Sequence, residues 1–378
     1  MRLAWNEDQR RLQEMARKFV QKEAPLSRVR QLEAENRDFA RDFYEKSAEV
    51  CLLQVALPEQ DGGSGDWLDA AIWFEALGGN LVATPQLYSV LLAVPLLKEA
   101  VHPSPYWIDQ VRKMVQGVQI VTFALFESPH GDWREGCETE LAREGNEWLL
   151  RGRKSFVPYA DESDGMLVLA RRGAMLGLSW VPEGTPGVEV VPHPTQGNRK
   201  IAEVWLRDVK LPESYLIGEG EDFVQRLSKR WDAVRILHAA WGVGSAQGAL
   251  DKVTQYVKER VQFGRPVGTF QGLQYQLVDV HCAVEEARWL TYYAAWCVCR
   301  NMDWKQPAIL ALLRAGDALE KASAVGSRLH GGYGFTLEYD IQLYFRRAKL
   351  FRQEFGRIIS AEKRRLLRKF SERESFAV

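Results

Sequence analysis

Nowhere does this 378-residue sequence contain an uninterrupted apolar run of the roughly 18 residues that a membrane-spanning helix needs. Its opening residues, MRLAWNEDQRRLQ, have no apolar signal core. The expectation is a cytoplasmic protein without a membrane span. Cysteine is scarce and odd in number, at five: Cys51, Cys137, Cys282, Cys297 and Cys299. The nearest pair, Cys297-Val-Cys299, lacks the two-residue spacer of redox and zinc motifs, so reduced, mostly buried thiols and no metal site are expected. Net charge is missing as well. Fifty basic and fifty acidic residues sum to a formal charge of zero, which leaves no global field to recruit nucleic acid or an anionic membrane. Internal repeats and low-complexity segments are also absent.

What the chain does have is apolar mass: 46% of its residues are hydrophobic, ample for packed cores, and the length gives a prior of two to three domains. The period of those residues changes twice. Residues 1–117 read as helices, with one stripe at Leu12, Met15, Ala16, Phe19 and Val20, and a turn at 61–66 ahead of an apolar run at 68–77. A further apolar helix spans 86–100, interrupted by Pro103 and Pro105. Between 118 and 218, short runs rich in Val and Leu alternate with Gly, Pro, Asn and Asp, predicting strands at 119–126, 148–151, 166–171, 175–180, 187–191 and 202–206. From 219 to 378 the spacing is helical again. One long helix runs to about Arg260, others cover 271–300 and 305–328, and a last helical region covers 341–370. The fold class expected is therefore α+β: an N-terminal helical domain, a middle β-barrel or sandwich, and a C-terminal four-helix bundle. Ala239, Ala240, Gly242, Gly244, Ser245, Ala246 and Gly248 crowd small residues on the first bundle helix, where another helix can approach closely.

The stretch Tyr256–Gln274, YVKERVQFGRPVGTFQGLQ, joins two of these helices. Gly264 and Pro266 predict a helix end and a turn, with Arg260 and Gln262 on the last helical residues and Phe263 beside them. A guanidinium, an amide and a ring held together suit a phosphate or a planar heterocycle; a solvated helix end with a buried Phe is the other reading. A second glycine-rich turn, Arg328-Leu-His-Gly-Gly-Tyr-Gly-Phe335, follows.

These two segments resemble the C-terminal signatures of the acyl-CoA dehydrogenase family. Pro58-Glu-Gln-Asp-Gly-Gly-Ser-Gly65 is similar to the family's PEExGGxG turn, and Asp208-Val-Lys-Leu-Pro212 with Leu216-Ile-Gly-Glu219 to its link into the bundle. The resemblance implies oxidation of an acyl-CoA thioester between Cα and Cβ, with FAD as cofactor, an electron-transfer flavoprotein as electron acceptor, and a dimer of dimers. It also implies that Arg260, Phe263, Gln271, Gly331 and Gly332 hold the adenine and pyrophosphate half of FAD, with Gln262 beside them. Arg328 stands where the family usually has Gln. The flavin half is implied at two segments. One is Phe126-Glu127-Ser128-Pro129-His130-Gly131-Asp132, where Phe126 replaces a Thr. The other is Lys154-Ser-Phe156-Val157-Pro158, where Pro158 replaces a Thr or Ser and offers neither a hydroxyl nor an N–H. Phe126 and Phe156 fit either flavin contact or β-domain core.

The family places its catalytic Glu at one of two positions. In Arg347-Ala-Lys349-Leu-Phe-Arg-Gln-Glu354-Phe355-Gly356, Phe355 occupies the first, with Glu354 one residue early; in Asp232-Ala-Val234-Arg235, Val234 occupies the second. Arg235 matches the family's arginine near the acyl site. Three consequences stay open: a turn rephased so that Glu354 is the base, a non-catalytic subunit that shares FAD with a related chain in a heterotetramer, or a relative running other flavin chemistry such as monooxygenation.

Overall fold

The structure, a computed structural model, describes residues 5–128, 133–134, 136–197 and 199–355. Asp132 and the predicted helix beyond Phe355 lie outside the described residues. The elements in chain order are α1 (Glu7–Glu23), α2 (Leu26–Ala34), α3 (Arg41–Glu49), α4 (Trp67–Gly79), a π-helical stretch (Leu87–Ala93) running into α5 (Val94–Lys98), and α6 (Pro105–Val115). Then come β1 (Val121–Ala124), β2 (Glu140–Glu144), β3 (Glu147–Pro158), β4 (Gly165–Arg172), β5 (Met175–Pro182), β6 (Val188–Pro194), β7 (Lys200–Pro212) and β8 (Leu216–Glu219). Last are α7 (Glu221–Ala233), α8 (Arg235–Glu259), the paired β9 (Val261–Gln262) and β10 (Arg265–Pro266), α9 (Gln271–Cys299), α10 (Lys305–His330) and a helix from 341. The α+β class holds, with the strands of the sheet falling between helical segments in chain order.

One compact unit gathers Met1–Val29, Trp67–Val82 and Arg235–Val378. Its α1 opens on a capping box, in which Asn6 accepts the Gln9 N–H and the Gln9 side chain accepts the Asn6 N–H. The crowded small residues of α8 meet α4. A Cβ added at Gly244 would lie 1.9 Å from the Glu75 carbonyl oxygen, and one at Gly78 would lie 2.0 Å from that of Trp241. Only glycines let these two backbones touch. Ser245 seals the seam by donating to the Gly78 carbonyl at 3.0 Å, and the Trp241 indole donates to the Val82 carbonyl at 2.9 Å. Buried Glu75 is matched by Arg288 at 3.0 Å and by the Tyr292 hydroxyl at 2.5 Å.

The second unit comprises Arg30–Asp66 and Ala83–Val234. Its sheet runs in the order β6-β7-β3-β2-β4-β5-β8, with β1 added in parallel to β4. Leu150, Val168, Val181, Val204 and Val209 lead its apolar core. The loop ahead of α3 is tied to the sheet through Asp38, only 4% exposed. Its backbone N–H donates to Glu162 at 2.8 Å, and its carboxylate accepts the Lys200 N–H at 2.7 Å. Burial pushes the Asp38 pKa up to about 6, against the nearby Arg199 charge.

The structure departs from the sequence expectations at four places. Strands β3 and β7 are longer than the apolar runs that announced them, because charged residues continue each strand. Strands β2 and β8 were not anticipated: β2 buries only Leu141, which leaves no period to read. The long first bundle helix is broken at Val234 into α7 and α8. Arg260 and Gln262 do not sit on a helix end, since α8 stops at Glu259 and a two-stranded hairpin follows.

Candidate active site

The described residues of the two segments expected at the flavin by resemblance meet at a β-bulge in β3. Between the pairs Lys154↔Val204 and Val157↔Ala202, β3 spends two residues where β7 spends one. The extra residue frees the Ser155 N–H from the sheet ladder, and it donates instead to the Phe126 carbonyl at 2.7 Å. Phe156 consequently has φ +58° and points a ring that is 42% exposed away from the core. A bulky residue in the left-handed region is strained by about 1–2 kcal/mol, and such strain gathers at ligand-binding positions. Phe156 is therefore not β-domain core. Phe126 packs on Trp231 with ring centroids 6.1 Å apart, and the Pro158 carbonyl accepts the Thr122 hydroxyl at 2.6 Å.

Beneath the bulge lies an ion pair that the sequence reading did not single out. Lys154, whose side chain is 0% exposed, donates from Nζ to Glu127 Oε1 at 2.5 Å and to the Leu125 carbonyl at 3.4 Å. Glu127 also accepts the Glu138 N–H at 2.6 Å, the Thr139 N–H at 3.0 Å and the Thr139 hydroxyl at 2.7 Å. Burial alone would raise the Glu127 pKa, but the Lys154 charge and these donors outweigh it and hold it below the usual carboxylate range. The carboxylate is thus ionised at neutral pH. Cys137, with Sγ 3.5 Å from Lys154 Nζ, has its thiol pKa raised by burial and stays protonated.

In the other unit the two glycine-bearing signatures meet. The hairpin turn between β9 and β10 places Phe263 at φ +54° and Gly264 at φ +77°, the positive pair of a type I′ turn, and leaves the Phe263 ring 92% exposed. The Arg260 guanidinium sits 6.0 Å from the Tyr333 ring, and Tyr256 stacks on His330 at 4.0 Å. His330 is a structural residue: its Nδ1 lies 2.8 Å from the Gly326 carbonyl, and burial lowers its pKa, which keeps the ring neutral. Gly331 caps α10 with φ +63°, and Gly334 allows the turn to lie against α10, where a Cβ would come within 2.2 Å of the Ser327 carbonyl oxygen. Around Gly331 and Gly332 an added Cβ meets nothing within 4 Å. Arg328 reaches Gln276 at 2.6 Å, and the Gln271 amide donates to the Tyr275 hydroxyl at 2.6 Å.

At the two positions where the family carries its base, the side chains are apolar and covered. Val234 is 3% exposed; Phe355 is 9% exposed, with its ring 4.6 Å from His238 and 4.8 Å from Phe351. Glu354 is exposed on the same helix. Arg235 is the first residue of α8.

Residues 6–100 match the family model for the acyl-CoA dehydrogenase N-terminal domain, and residues 214–357 match that for the C-terminal domain. The chain is 30% identical to the human mitochondrial short-chain specific acyl-CoA dehydrogenase over 312 residues, covering 79% of this chain and 75% of the relative. It belongs to the acyl-CoA dehydrogenase family. Over 371 residues it is 29% identical to the probable acyl-CoA dehydrogenase YngJ of Bacillus subtilis, covering 93% of this chain and 94% of that one. Among solved structures it is similar to the ChsE4-ChsE5 complex from Mycobacterium tuberculosis, with a TM-score of 0.85 and 27% identity over 98% of this chain and 99% of the other. Family membership accounts for the order of the motifs and leaves the roles of individual side chains to the local chemistry.

Proposed function

We propose that this chain is an FAD-dependent acyl-CoA dehydrogenase-type oxidoreductase, serving α,β-dehydrogenation of an acyl-CoA thioester with electrons passed to an electron-transfer flavoprotein. The observation that carries this reading is Phe156, an aromatic ring held outward by a strained bulge at the position where the family brings a ring to the flavin. The residues present fit FAD in both halves. Phe156 and Phe126 offer aromatic surface to the isoalloxazine, with Pro158 and Asp132 as neighbours by resemblance. Arg260, Gln262, Phe263, Gln271 and Arg328, with the uncrowded Gly331 and Gly332, suit the adenine and pyrophosphate half. When bound, FAD supplies the hydride acceptor. The chain's own part is to orient the two rings, exclude water from the flavin face and, through Arg235, present a cation near the acyl group. We further propose domains at 1–117, 118–218 and 219–378, a cytoplasmic location and a tetramer.

A second reading has its own observation. Both base positions are filled by buried apolar side chains, Val234 and Phe355, while Glu354 is exposed. A proton cannot be taken by a hydrocarbon, so this favours a subunit that binds cofactor and substrate while a related chain supplies the carboxylate, in a heterotetramer. The visible spectrum of the purified protein, with oligomer mass on the same sample, tests both readings. A yellow homotetramer that oxidises acyl-CoA supports the homomeric enzyme. A protein that gains flavin and activity only with a related chain supports the subunit, and failure to bind flavin in either state refutes both.

A further inference from the structure

We propose that the buried pair of Lys154 and Glu127 is a positioning device that sets the Phe156 ring against the isoalloxazine. The proposal rests on the FAD reading above. Three chain segments end at this pair: residues 125–127 through the Leu125 carbonyl and Glu127 itself, residues 137–139 through the two backbone N–H groups and the Thr139 hydroxyl, and residues 154–156 through Lys154. Ser155 adds a second clasp, its N–H to the Phe126 carbonyl at 2.7 Å and its hydroxyl to the Glu127 carbonyl at 3.3 Å. Every one of these contacts is within two residues of the bulge or grips the segment opposite it.

The energetics favour a positional role. A buried ion pair adds little net stability over a well-packed apolar pair, because desolvating both charges offsets their attraction. Phe156 meanwhile needs restraint, since its left-handed backbone is disfavoured and its exposed ring has little packing of its own. Four donors fixed on one carboxylate supply that restraint from below.

The test uses the full-length protein, together with its partner chain if flavin uptake requires one, and compares FAD with ADP as probes. Removing both charges with Lys154→Met/Glu127→Leu leaves no orphaned charge and no large cavity; Glu127→Gln, which keeps the side-chain shape and its oxygen acceptor but strips Lys154 of its counter-ion, is the harsher companion. The FAD dissociation constant should rise about tenfold and the bound-flavin absorption envelope should broaden, while ADP, which lacks the isoalloxazine, binds with affinity unchanged to within about twofold. In a Phe156→Ala background the same charge removal should have no further effect on FAD, because the pair acts through that ring. Equal losses for FAD and ADP, additive effects with Phe156→Ala, or wild-type FAD affinity in both charge variants would each overturn the proposal. If the wild type itself takes up no FAD in any assembly, it is the functional reading that fails.

Discussion

Replacing Phe156 by alanine and by glycine separates backbone strain from ring chemistry. Both variants lose the same ring, so their difference in stability reports only what the chain does at φ +58°. Alanine in the left-handed region costs about 1–2 kcal/mol, whereas glycine adopts it freely. Glycine gives back about 0.4–1 kcal/mol through the greater freedom of its unfolded chain. The balance leaves the glycine variant more stable by roughly 0.5–1 kcal/mol, the reverse of an ordinary strand position, where alanine leads by a similar margin. Urea unfolding followed by tryptophan fluorescence is a suitable assay. At a slope of about 2–3 kcal/mol/M, the glycine midpoint should lie roughly a third of a molar above that of alanine. Both variants should bind FAD equally weakly. An alanine variant as stable as the glycine one, or more so, would show that residue 156 is not held in a strained conformation, and the case for a built flavin-facing ring would fall with it.

Three further outcomes are expected. Asp38 has a native pKa of about 6 against 3.8 for the free group, so between those values the folded state binds more protons and stability falls as pH rises. Relative to Asp38→Asn, the wild type should be roughly 2–2.5 kcal/mol more stable at pH 4 than at pH 7, read from paired denaturant titrations; a constant difference across that window refutes the burial argument. Gly244→Ala should destabilise by on the order of 3 kcal/mol, because its Cβ would lie 1.9 Å from the Glu75 carbonyl oxygen and α4 cannot yield without opening the seam; an unchanged melting temperature would contradict that packing. Glu354→Gln should leave turnover of the active assembly within about twofold of wild type, whereas a loss of a hundredfold or so would restore Glu354 as the base.

Legibility in the sequence followed the range of the forces involved. Helices announced themselves because a 3.6-residue period repeats many times along one segment, and the small residues of α8 foretold a close helix contact whose partner, α4, lies far away in the chain. Strand β2 was silent because a single buried Leu141 makes no pattern. The bulge in β3 was silent for a deeper reason. Lys154 reads as a solvent-facing residue until Glu127, 27 residues earlier, is seen beside it. Phe263 was expected next to a helix end, and no propensity would place a phenylalanine in a type I′ turn. What could have been found is the spacing itself: Glu127 is next to Phe126 and Lys154 is two residues from Phe156, both residues already suspected of touching flavin. The apolar residues at the two base positions, by contrast, were plain from the sequence, since Val234 and Phe355 needed only to be counted into place, while Glu354 stayed open as a base.

The distribution of buried polar groups bears on which reading of the chain is right. The charge pair beneath Phe156 is costly to bury and brings little net stability, yet its carboxylate accepts from Lys154, the Glu138 and Thr139 N–H groups and the Thr139 hydroxyl. Val234 and Phe355, at the two base positions, are packed as ordinary core, 3% and 9% exposed, while Glu354 is exposed. The buried polar groups beside Phe156 restrain a ring, whereas Val234 and Phe355 offer no group that could take a proton, so the two proposed readings differ in where the carboxylate comes from and agree on what Phe156 is held for.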